Sequence, residues 1–337
     1  MELGFYTFAD IFPDPHTGVS ATPTQRMQEL LELARLCDET GIDILGLGEH
    51  HGLEYVNSAT ATTIAAMAAA TTRLRFTSAT TLLSTADPVR TFQEFTTADL
   101  VSGGRVEIMF GRGGFTNNFS LFGYNLDDYD QLFAEKLDLF AQLNAQERVT
   151  WSGSFRSPLR DAEIAPRPSA PLPVWIAAGS PGSVVRAAML GYPTAVPIIG
   201  GTFDRYAPTA ELYRRAWRES GHESPPRLAI YSHLYLGETS QQAREDFYPY
   251  YNCYMQPFIR REVGRQQFAG MFSPMGPLVA GSPQEVIDRI LAIRELTGAT
   301  RYVGQMDIGG MPFAMVARLV ELFAAKVAPV VRKETAA

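Results

Sequence analysis

The chain has 337 residues, of which 46% are apolar and 19% are charged, and its formal net charge is −7. This composition is typical of a folded protein with a large core and excludes a disordered chain. The longest unbroken apolar run, residues 64–70, is too short to cross a bilayer, and the N-terminus has no secretory pattern. A modest negative charge without basic runs argues against nucleic acid as the main partner. We therefore expect a cytoplasmic protein that binds neither nucleic acid nor membrane.

Short strand-like apolar runs alternate along the chain with segments of helical periodicity. The predicted strands, in chain order, cover residues 3–8, 43–47, 74–82, 106–110, 174–177, 194–199, 227–236 and 302–306. The predicted helices cover residues 24–40, 58–70, 89–100, 129–143, 183–190, 206–220, 284–296 and 314–327. Eight strand–helix units in alternation predict an α/β fold, a parallel sheet closed into a single (β/α)8 TIM barrel.

One segment interrupts this alternation. Residues 241–279 break the rhythm and are interpreted as an insertion before the last helix–strand unit, whereas residues 148–172 form an irregular, proline-rich connection. No low-complexity or Gly/Ser-rich linker divides the chain. We therefore expect one domain over residues 1–330 and a disordered tail over residues 331–337.

Two other architectures fit the sequence poorly. In an open dinucleotide-binding sheet, the glycine run at residues 111–114 would need a further glycine where Thr116 stands, and the chain has no P-loop motif. Cys37 and Cys253 are too few for a disulfide framework and lack the paired spacing of a metal site.

Three polar residues, Glu49, His50 and His51, follow the second predicted strand, at the end of the barrel where catalytic groups gather. Neighbouring strand residues face opposite sides, so both histidines can share one site only where the strand has ended. A neutral imidazole suits proton transfer near pH 7, which favours an acid, base or hydrogen-bonding role for His50. A histidine pair that only satisfies backbone groups remains open. A metal site on Glu49 and His51 is disfavoured because the other strand ends do not complete a ligand set, so we expect no metal.

A phosphate-binding pattern follows the fifth predicted strand. Gly179, Ser180 and Ser183 begin a helix, where glycine admits an anion and free N–H groups and hydroxyls attract it. A serine-capped helix without a ligand is the alternative. Arg112, after the fourth strand, is positioned to meet the same anion, although a structural ion pair remains open for it. The combination favours a phosphate site.

Several segments resemble the bacterial-luciferase-like flavin monooxygenase family, in the family's order and over nearly the whole chain. The most specific is residues 77–113, which contain DPVR, LVSGGR and GRG. The others are GIDILGLGEHH, PVWIAAGSPGSVVRAAMLG, GSPQEVIDRI and TRYVGQMDIGGMP.

The resemblance implies a TIM-barrel enzyme that uses reduced FMN and O2, through a C4a-hydroperoxyflavin, to oxygenate a small organic substrate. It also implies that a separate NAD(P)H:flavin reductase supplies the reduced flavin. Two alternatives are a deazaflavin-dependent oxidoreductase on the same barrel and a non-catalytic flavin-binding protein. The Glu49-His50 pair argues against the second alternative.

Residue by residue, the resemblance implies a catalytic role for His50, with Glu49 at the preceding acidic position. Ala79 and Thr80 fall where the family often has a non-proline cis peptide bond under the flavin ring. The phosphate-contacting positions of the family match Arg112, Gly179, Ser180 and Ser183.

The chain departs from the family pattern at several positions, and the resemblance leaves other points open. Luciferase has a glutamate where this chain has Gly179, and a second arginine near the position of Asp130, so less positive charge is expected around the phosphate. Gln93 occupies an acidic family position, and the neighbouring Glu94 is an equal candidate for that group.

No motif identifies the substrate, and the aromatic segment 248–255 either lines a substrate chamber or covers the core. The family often dimerises, and the small-residue face of the predicted helix 58–70 would permit a homodimer.

Overall fold

The computed structural model describes residues 1–113 and 117–336, so residues 114–116, which include Gly114 and Thr116, and Ala337 lie outside the described residues. Within these ranges the chain forms twelve strands and twelve α-helices. The strands are β1 (Glu2–Thr7), β2 (Ile44–Leu47), β3 (Arg75–Ser78), β4 (Thr81–Leu82), β5 (Val106–Gly111), β6 (Arg148–Trp151), β7 (Leu159–Glu163), β8 (Val174–Ala177), β9 (Thr194–Ile198), β10 (Leu228–Leu236), β11 (Val279–Gly281) and β12 (Arg301–Gln305). The helices are α1 (Pro23–Thr40), α2 (Thr60–Ala69), α3 (Pro88–Ser102), α4 (Asn117–Leu121), α5 (Tyr129–Ala145), α6 (Pro181–Met189), α7 (Ala207–Glu219), α8 (Ser240–Ile259), α9 (Arg265–Met271), α10 (Pro283–Thr297), α11 (Phe313–Leu322) and α12 (Ala328–Thr335).

The main sheet closes into a parallel barrel. The sheet has ten strands. Strand β4 continues β3 and pairs with β5, and β11 pairs with β10 outside the ring, so the ring itself consists of the other eight strands. Their order is β1, β2, β3, β5, β8, β9, β10 and β12, and β12 pairs back onto β1. The predicted (β/α)8 barrel is therefore confirmed.

Local signals in the sequence place the helix ends. At the start of α1 the Thr22 hydroxyl accepts a hydrogen bond from the Gln25 N–H, and α1 ends at Gly41 in the left-handed region with φ of 84°. In the same way α10 begins after Ser282 and ends at Gly298 with φ of 66°. A side chain at either glycine would be strained in that backbone conformation, so these residues fix the helix lengths.

The structure departs from the sequence prediction inside three segments. The predicted third strand, residues 74–82, is divided into β3 and β4 by the linkage between Ala79 and Thr80. The connection at residues 148–172 contains the antiparallel hairpin β6–β7. The insertion at residues 241–279 is mostly helical, with α8 and α9, and it leads into β11. Apolar periodicity did not signal β6, β7 or β11 because each is short and lies at the surface or against a single neighbour.

The expected disordered tail at residues 331–337 is wrong for its described part. Helix α12 continues to Thr335, and Val331 is fully buried. The N-terminal ammonium of Met1 donates a hydrogen bond to the Thr335 hydroxyl, with 3.0 Å between the atoms. Ala328, Val331 and Thr335 of this helix are buried, so the segment packs against the rest of the protein.

A charged cluster lies inside the barrel. Arg301 is fully buried, and its Nη1 lies 2.6 Å from Glu107 Oε1 and its Nε 2.7 Å from Glu2 Oε2. The guanidinium also lies over the ring of Trp175, 4.2 Å from the ring centroid, and the Trp175 indole N–H donates to Glu107 Oε2 at 3.0 Å. Each buried charge is therefore paired, which is the condition for its presence in a core.

No helix in the described ranges is both long and apolar enough to cross a membrane.

Candidate active site

A cavity of about 640 Å³ opens at the end of the barrel where the strands have their carboxyl ends. Enzymes with this fold carry out their chemistry at that end. Two depressions of similar volume lie around Met1, away from the predicted site residues. Six of the predicted residues line the cavity, namely Glu49, His50, Ala79, Thr80, Arg112 and Gly179.

His50 is a buried, neutral imidazole in the cavity wall. Its ring stacks on Tyr55, with 4.2 Å between centroids and 22° between planes, and it contacts Phe8 at a centroid distance of 4.3 Å. Burial, with a smaller effect of His51, lowers the pKa of His50 to about 4. At pH 7 the ring is therefore uncharged and offers one N–H donor and one acceptor nitrogen. Such a group is suited to hold or accept a proton beside a bound ligand.

Glu49 and His51 form a pair with each other. His51 Nε2 lies 2.9 Å from Glu49 Oε1, and Glu49 Oε2 accepts a hydrogen bond from the Leu82 N–H at 3.0 Å. Glu49 thus connects the loop after β2 to β4, and His51 lies outside the lining of the cavity. In the described part of the chain, no three His, Cys, Asp or Glu side chains are grouped to hold a metal ion.

Small residues from consecutive strands form one wall of the cavity. Ala79, Thr80, Gly111, Ala177 and Ala195 all line it. The peptide bond between Ala79 and Thr80 is cis, as the resemblance implies. A Cβ atom at Gly111 would lie 2.3 Å from Thr80 Oγ1, so only glycine fits there. The resulting wall has room for a flat ring system to lie against it.

Arg112 takes part in an ion pair at the edge of the cavity. Its Nη1 lies 2.6 Å from Asp130 Oδ1, and its guanidinium lies over the Tyr129 ring, 5.2 Å from the centroid. Arg186 Nη1 lies 3.9 Å from the same Asp130 oxygen. The structural ion pair that the sequence left open is thus present, and Arg186 supplies a second cation. The Asp130 side chain is 65% exposed, so solvent screens its attraction to the two arginines.

The start of α6 lies next to Arg112. The hydroxyls of Ser180 and Ser183 cap the helix reciprocally, so the serine-capped helix is present as well. Ser183 and Arg112 border one small void beside the main cavity. A Cβ atom at Gly182 would meet no atom within 4 Å, and one at Gly179 would meet only Pro197 Cγ at 3.9 Å. The backbone at this helix terminus is therefore open to an anion.

The two candidates for the acidic family position lie away from the cavity. Gln93 Nε2 donates a hydrogen bond to the Ala165 carbonyl oxygen at 2.8 Å, and Glu94 is exposed on the same helix. Neither residue belongs to the lining of the cavity.

Helix α8 forms the wall opposite the small residues. Tyr254, Met255 and Phe258 line the cavity, whereas Tyr248 and Tyr251 are buried in the hydrophobic core. One face of this helix therefore lines the cavity and another is buried in the core. That the cavity holds a substrate at this face stays a prediction.

Among the lining residues that were not predicted are these four: Tyr6, Met109, Tyr129 and Tyr231. Three of them lie within strands, so a search restricted to strand ends passes over them. For Tyr6 and Tyr231 the sequence does contain a signal of a cavity-lining position, because each is an aromatic residue with a polar atom inside an otherwise apolar strand. Arg186 lies in the second turn of α6 and had no such signal.

Residues 1–301 match the sequence family described as luciferase-like monooxygenase. The chain is 22% identical over 315 residues to the oxygenase component of a flavin-dependent trigonelline monooxygenase from Acinetobacter baylyi, covering 86% of this chain and 85% of that protein. It is 31% identical over 163 residues to an F420-dependent glucose-6-phosphate dehydrogenase from Amycolatopsis mediterranei, covering 46% of this chain and 48% of that protein.

Two solved structures share the fold over almost their whole length. Monooxygenase RslO1 from Streptomyces bottropensis is 26% identical with a TM-score of 0.85, covering 98% of this chain and 99% of that one. The oxygenating constituent of 3,6-diketocamphane monooxygenase from Pseudomonas putida, in complex with FMN, is 20% identical with a TM-score of 0.80, covering 98% of both chains. Since the family match extends over most of the sequence and the barrel carries the cavity at the expected end, this chain belongs to the luciferase-like monooxygenase family.

Proposed function

We propose that this protein is a flavin-dependent monooxygenase that uses reduced FMN and O2 to oxygenate a small organic substrate. The observation that carries the proposal is that one cavity joins the buried neutral imidazole of His50, a wall of small residues and the cationic edge at Arg112. Relatives named as a flavin-dependent oxygenase component and as an oxygenase in complex with FMN support the same choice.

The residues of the cavity fit FMN. The wall formed by Ala79, Gly111 and Ala177 would take the flat ring, and Arg112 with the open start of α6 would take the phosphate. When bound, reduced FMN supplies the electrons that activate oxygen. His50 would hold a proton at the edge of the ring, and the apolar side chains of α8 would keep water away.

The first prediction tests the dependence on a second protein. The purified chain with FMN and NADH should oxidise almost no NADH, because its sequence has no dinucleotide-binding fingerprint. Addition of an NAD(P)H:flavin reductase should start oxygen consumption that depends on FMN. Oxygen uptake and NADH absorbance measured together check this result. Rapid oxidation of NADH by the chain alone would contradict the two-component form.

The second prediction concerns the phosphate. Arg112→Ala should weaken the binding of FMN by about 1.5–3 kcal/mol, or tenfold to a hundredfold, because a charge-assisted contact is lost. Riboflavin should bind the wild type much more weakly than FMN does and should be insensitive to the substitution. Titration of flavin fluorescence measures both, and Arg318→Ala, at an exposed pair far from the cavity, is the control. Equal affinity of the wild type for FMN and riboflavin would show that this edge binds no phosphate.

A deazaflavin-dependent oxidoreductase is the second candidate, because an F420-dependent dehydrogenase is among the relatives of this chain. Both cofactors carry a flat ring and a phosphate, so the small-residue wall and Arg112 fit either. Parallel titrations with reduced FMN and with reduced F420 separate the two. Preference for F420, with hydride transfer that needs no oxygen, would replace the monooxygenase proposal.

A further inference from the structure

A layer of polar side chains lies inside the barrel and borders the cavity. His233 of β10 is paired in register with Gln305 of β12, which is in turn paired with Tyr6 of β1. All three side chains are at least 95% buried. Residues two positions apart along a strand face the same side, so Tyr231, which lines the cavity, and Val303 share the interior face of His233 and Gln305. Barrel interiors are usually filled with branched apolar side chains. The polar groups of this layer therefore need hydrogen-bond partners.

Within the hydrogen bonds of this layer, one tyrosine hydroxyl proton has no acceptor. The Tyr6 hydroxyl donates to Gln305 Oε1, and Gln305 Nε2 donates to the Tyr254 hydroxyl oxygen, each with 3.3 Å between the heavy atoms. Exchanging the oxygen and nitrogen positions of the Gln305 amide would make Tyr254 the donor and Tyr6 the acceptor, and the numbers of donors and acceptors would stay the same. In either arrangement one phenol proton has no acceptor among the described residues. Burial raises the pKa of Tyr254 well above its ordinary value, so this phenol keeps its proton.

His233 is the second incompletely satisfied group of the layer. Its ring packs edge-on against Tyr251 and Tyr254, with 5.7 Å between centroids in both cases. Neither ring nitrogen makes a hydrogen bond of normal geometry within the described residues, although the Gln305 side chain lies beside it. Buried polar groups without a partner are destabilising, and in native structures they usually meet water or a ligand.

Two members of the hydrogen-bonded chain, Tyr6 and Tyr254, reach the cavity. On the α8 side, Tyr254 lines it together with Met255 and Phe258, none of which we assign to FMN, whereas Tyr6 packs in one cluster with Ala79. The charged residues that line the cavity in the described part of the chain are Glu49 and Arg112, and neither belongs to this side. The α8 side of the cavity is thus apolar except for phenol groups.

We infer that Tyr254, oriented by Gln305, donates a hydrogen bond to an oxygen atom of the substrate and so determines specificity. The substrate is then a neutral, largely apolar molecule with a carbonyl, ether or hydroxyl oxygen. This inference rests on the proposed function in one respect: FMN is assigned to another part of the cavity, so the α8 side is available to the substrate.

The test compares ligands that differ in a single oxygen. Cyclohexanone is paired with methylenecyclohexane, and acetophenone with α-methylstyrene, so that CH2 replaces the carbonyl oxygen. Calorimetric titration of the full chain, with and without oxidised FMN, gives the affinity ratio within each pair. Tyr254→Phe should lower the ketone-to-alkene ratio roughly threefold to tenfold, the effect of one neutral hydrogen bond. Comparing ratios cancels the greater hydrophobicity of the alkenes.

Tyr251→Phe is the matched control. It removes the same atom from the same helix, at a buried hydroxyl outside the lining of the cavity, and should leave the ratio unchanged. An unchanged ratio in Tyr254→Phe, an equal shift in both variants, or a wild type that binds no member of either pair would each overturn the inference. Because binding is measured without reductase or oxygen, a failure here is distinct from a failure to oxygenate, which would overturn the proposed function alone.

Discussion

Replacement of His50 by alanine should uncouple the reaction, so that oxygen consumption yields hydrogen peroxide in place of oxygenated product. The imidazole lines the cavity, is buried between Phe8 and Tyr55, and has a pKa lowered by burial to about 4. It is therefore neutral throughout pH 6–9, and a positioned group of this kind contributes roughly 10²–10⁴-fold to proton transfer. The affinity for FMN should change little, because the phosphate contacts lie elsewhere.

The measurement is peroxide released per reduced FMN consumed, with a substrate that the wild type turns over. His50→Asn, which restores a hydrogen-bond donor, should recover part of the coupling if donation is the main role. His222→Ala is the control, since His222 contacts the Ala188 carbonyl oxygen on the outside of the barrel. A His50→Ala variant that remains fully coupled at the wild-type rate would show that the histidine is structural.

Replacement of Glu107 by alanine should destabilise the fold by about 3–5 kcal/mol, because it leaves the buried Arg301 without its main counter-charge. Burial alone disfavours the charge of Arg301, yet Glu107 raises the pKa of the guanidinium above its ordinary value. The substitution also removes the acceptor of the Trp175 indole N–H. Glu2 remains as a partner but is one-third exposed and screened by solvent.

Urea denaturation followed by tryptophan fluorescence and circular dichroism gives the change in unfolding free energy. Glu238→Ala, at the exposed pair with Arg318, is the control and should shift it by less than about 1 kcal/mol. The double substitution Glu107→Met with Arg301→Met should recover much of the loss, because no charge is then left unpaired. An effect of Glu107→Ala as small as that of Glu238→Ala would mean that water already solvates Arg301.

The sequence by itself determined the order of elements and the end of the barrel that carries the site. Strand and helix patterns, and capping residues such as Thr22 and Gly41, depend on residues that are close together in the sequence. They can therefore be recognised from the sequence alone. The strand-end residues His50, Arg112 and Gly179 were identified in the same way, and all three line the cavity. The family resemblance placed the cis bond between Ala79 and Thr80, which no local pattern indicates.

Only the tertiary structure decided which groups face one another across the barrel. The contact of Asp130 with Arg112 and Arg186, the chain from Tyr6 through Gln305 to Tyr254, and the buried Arg301 all join residues far apart in sequence. The chemistry of such a group depends on burial and on partners brought close by packing, and neither is encoded by spacing along the chain. The insertion shows the same limit, because the sequence left open whether the aromatic segment 248–255 lines a cavity or covers the core, and only the packing of α8 showed that its faces differ.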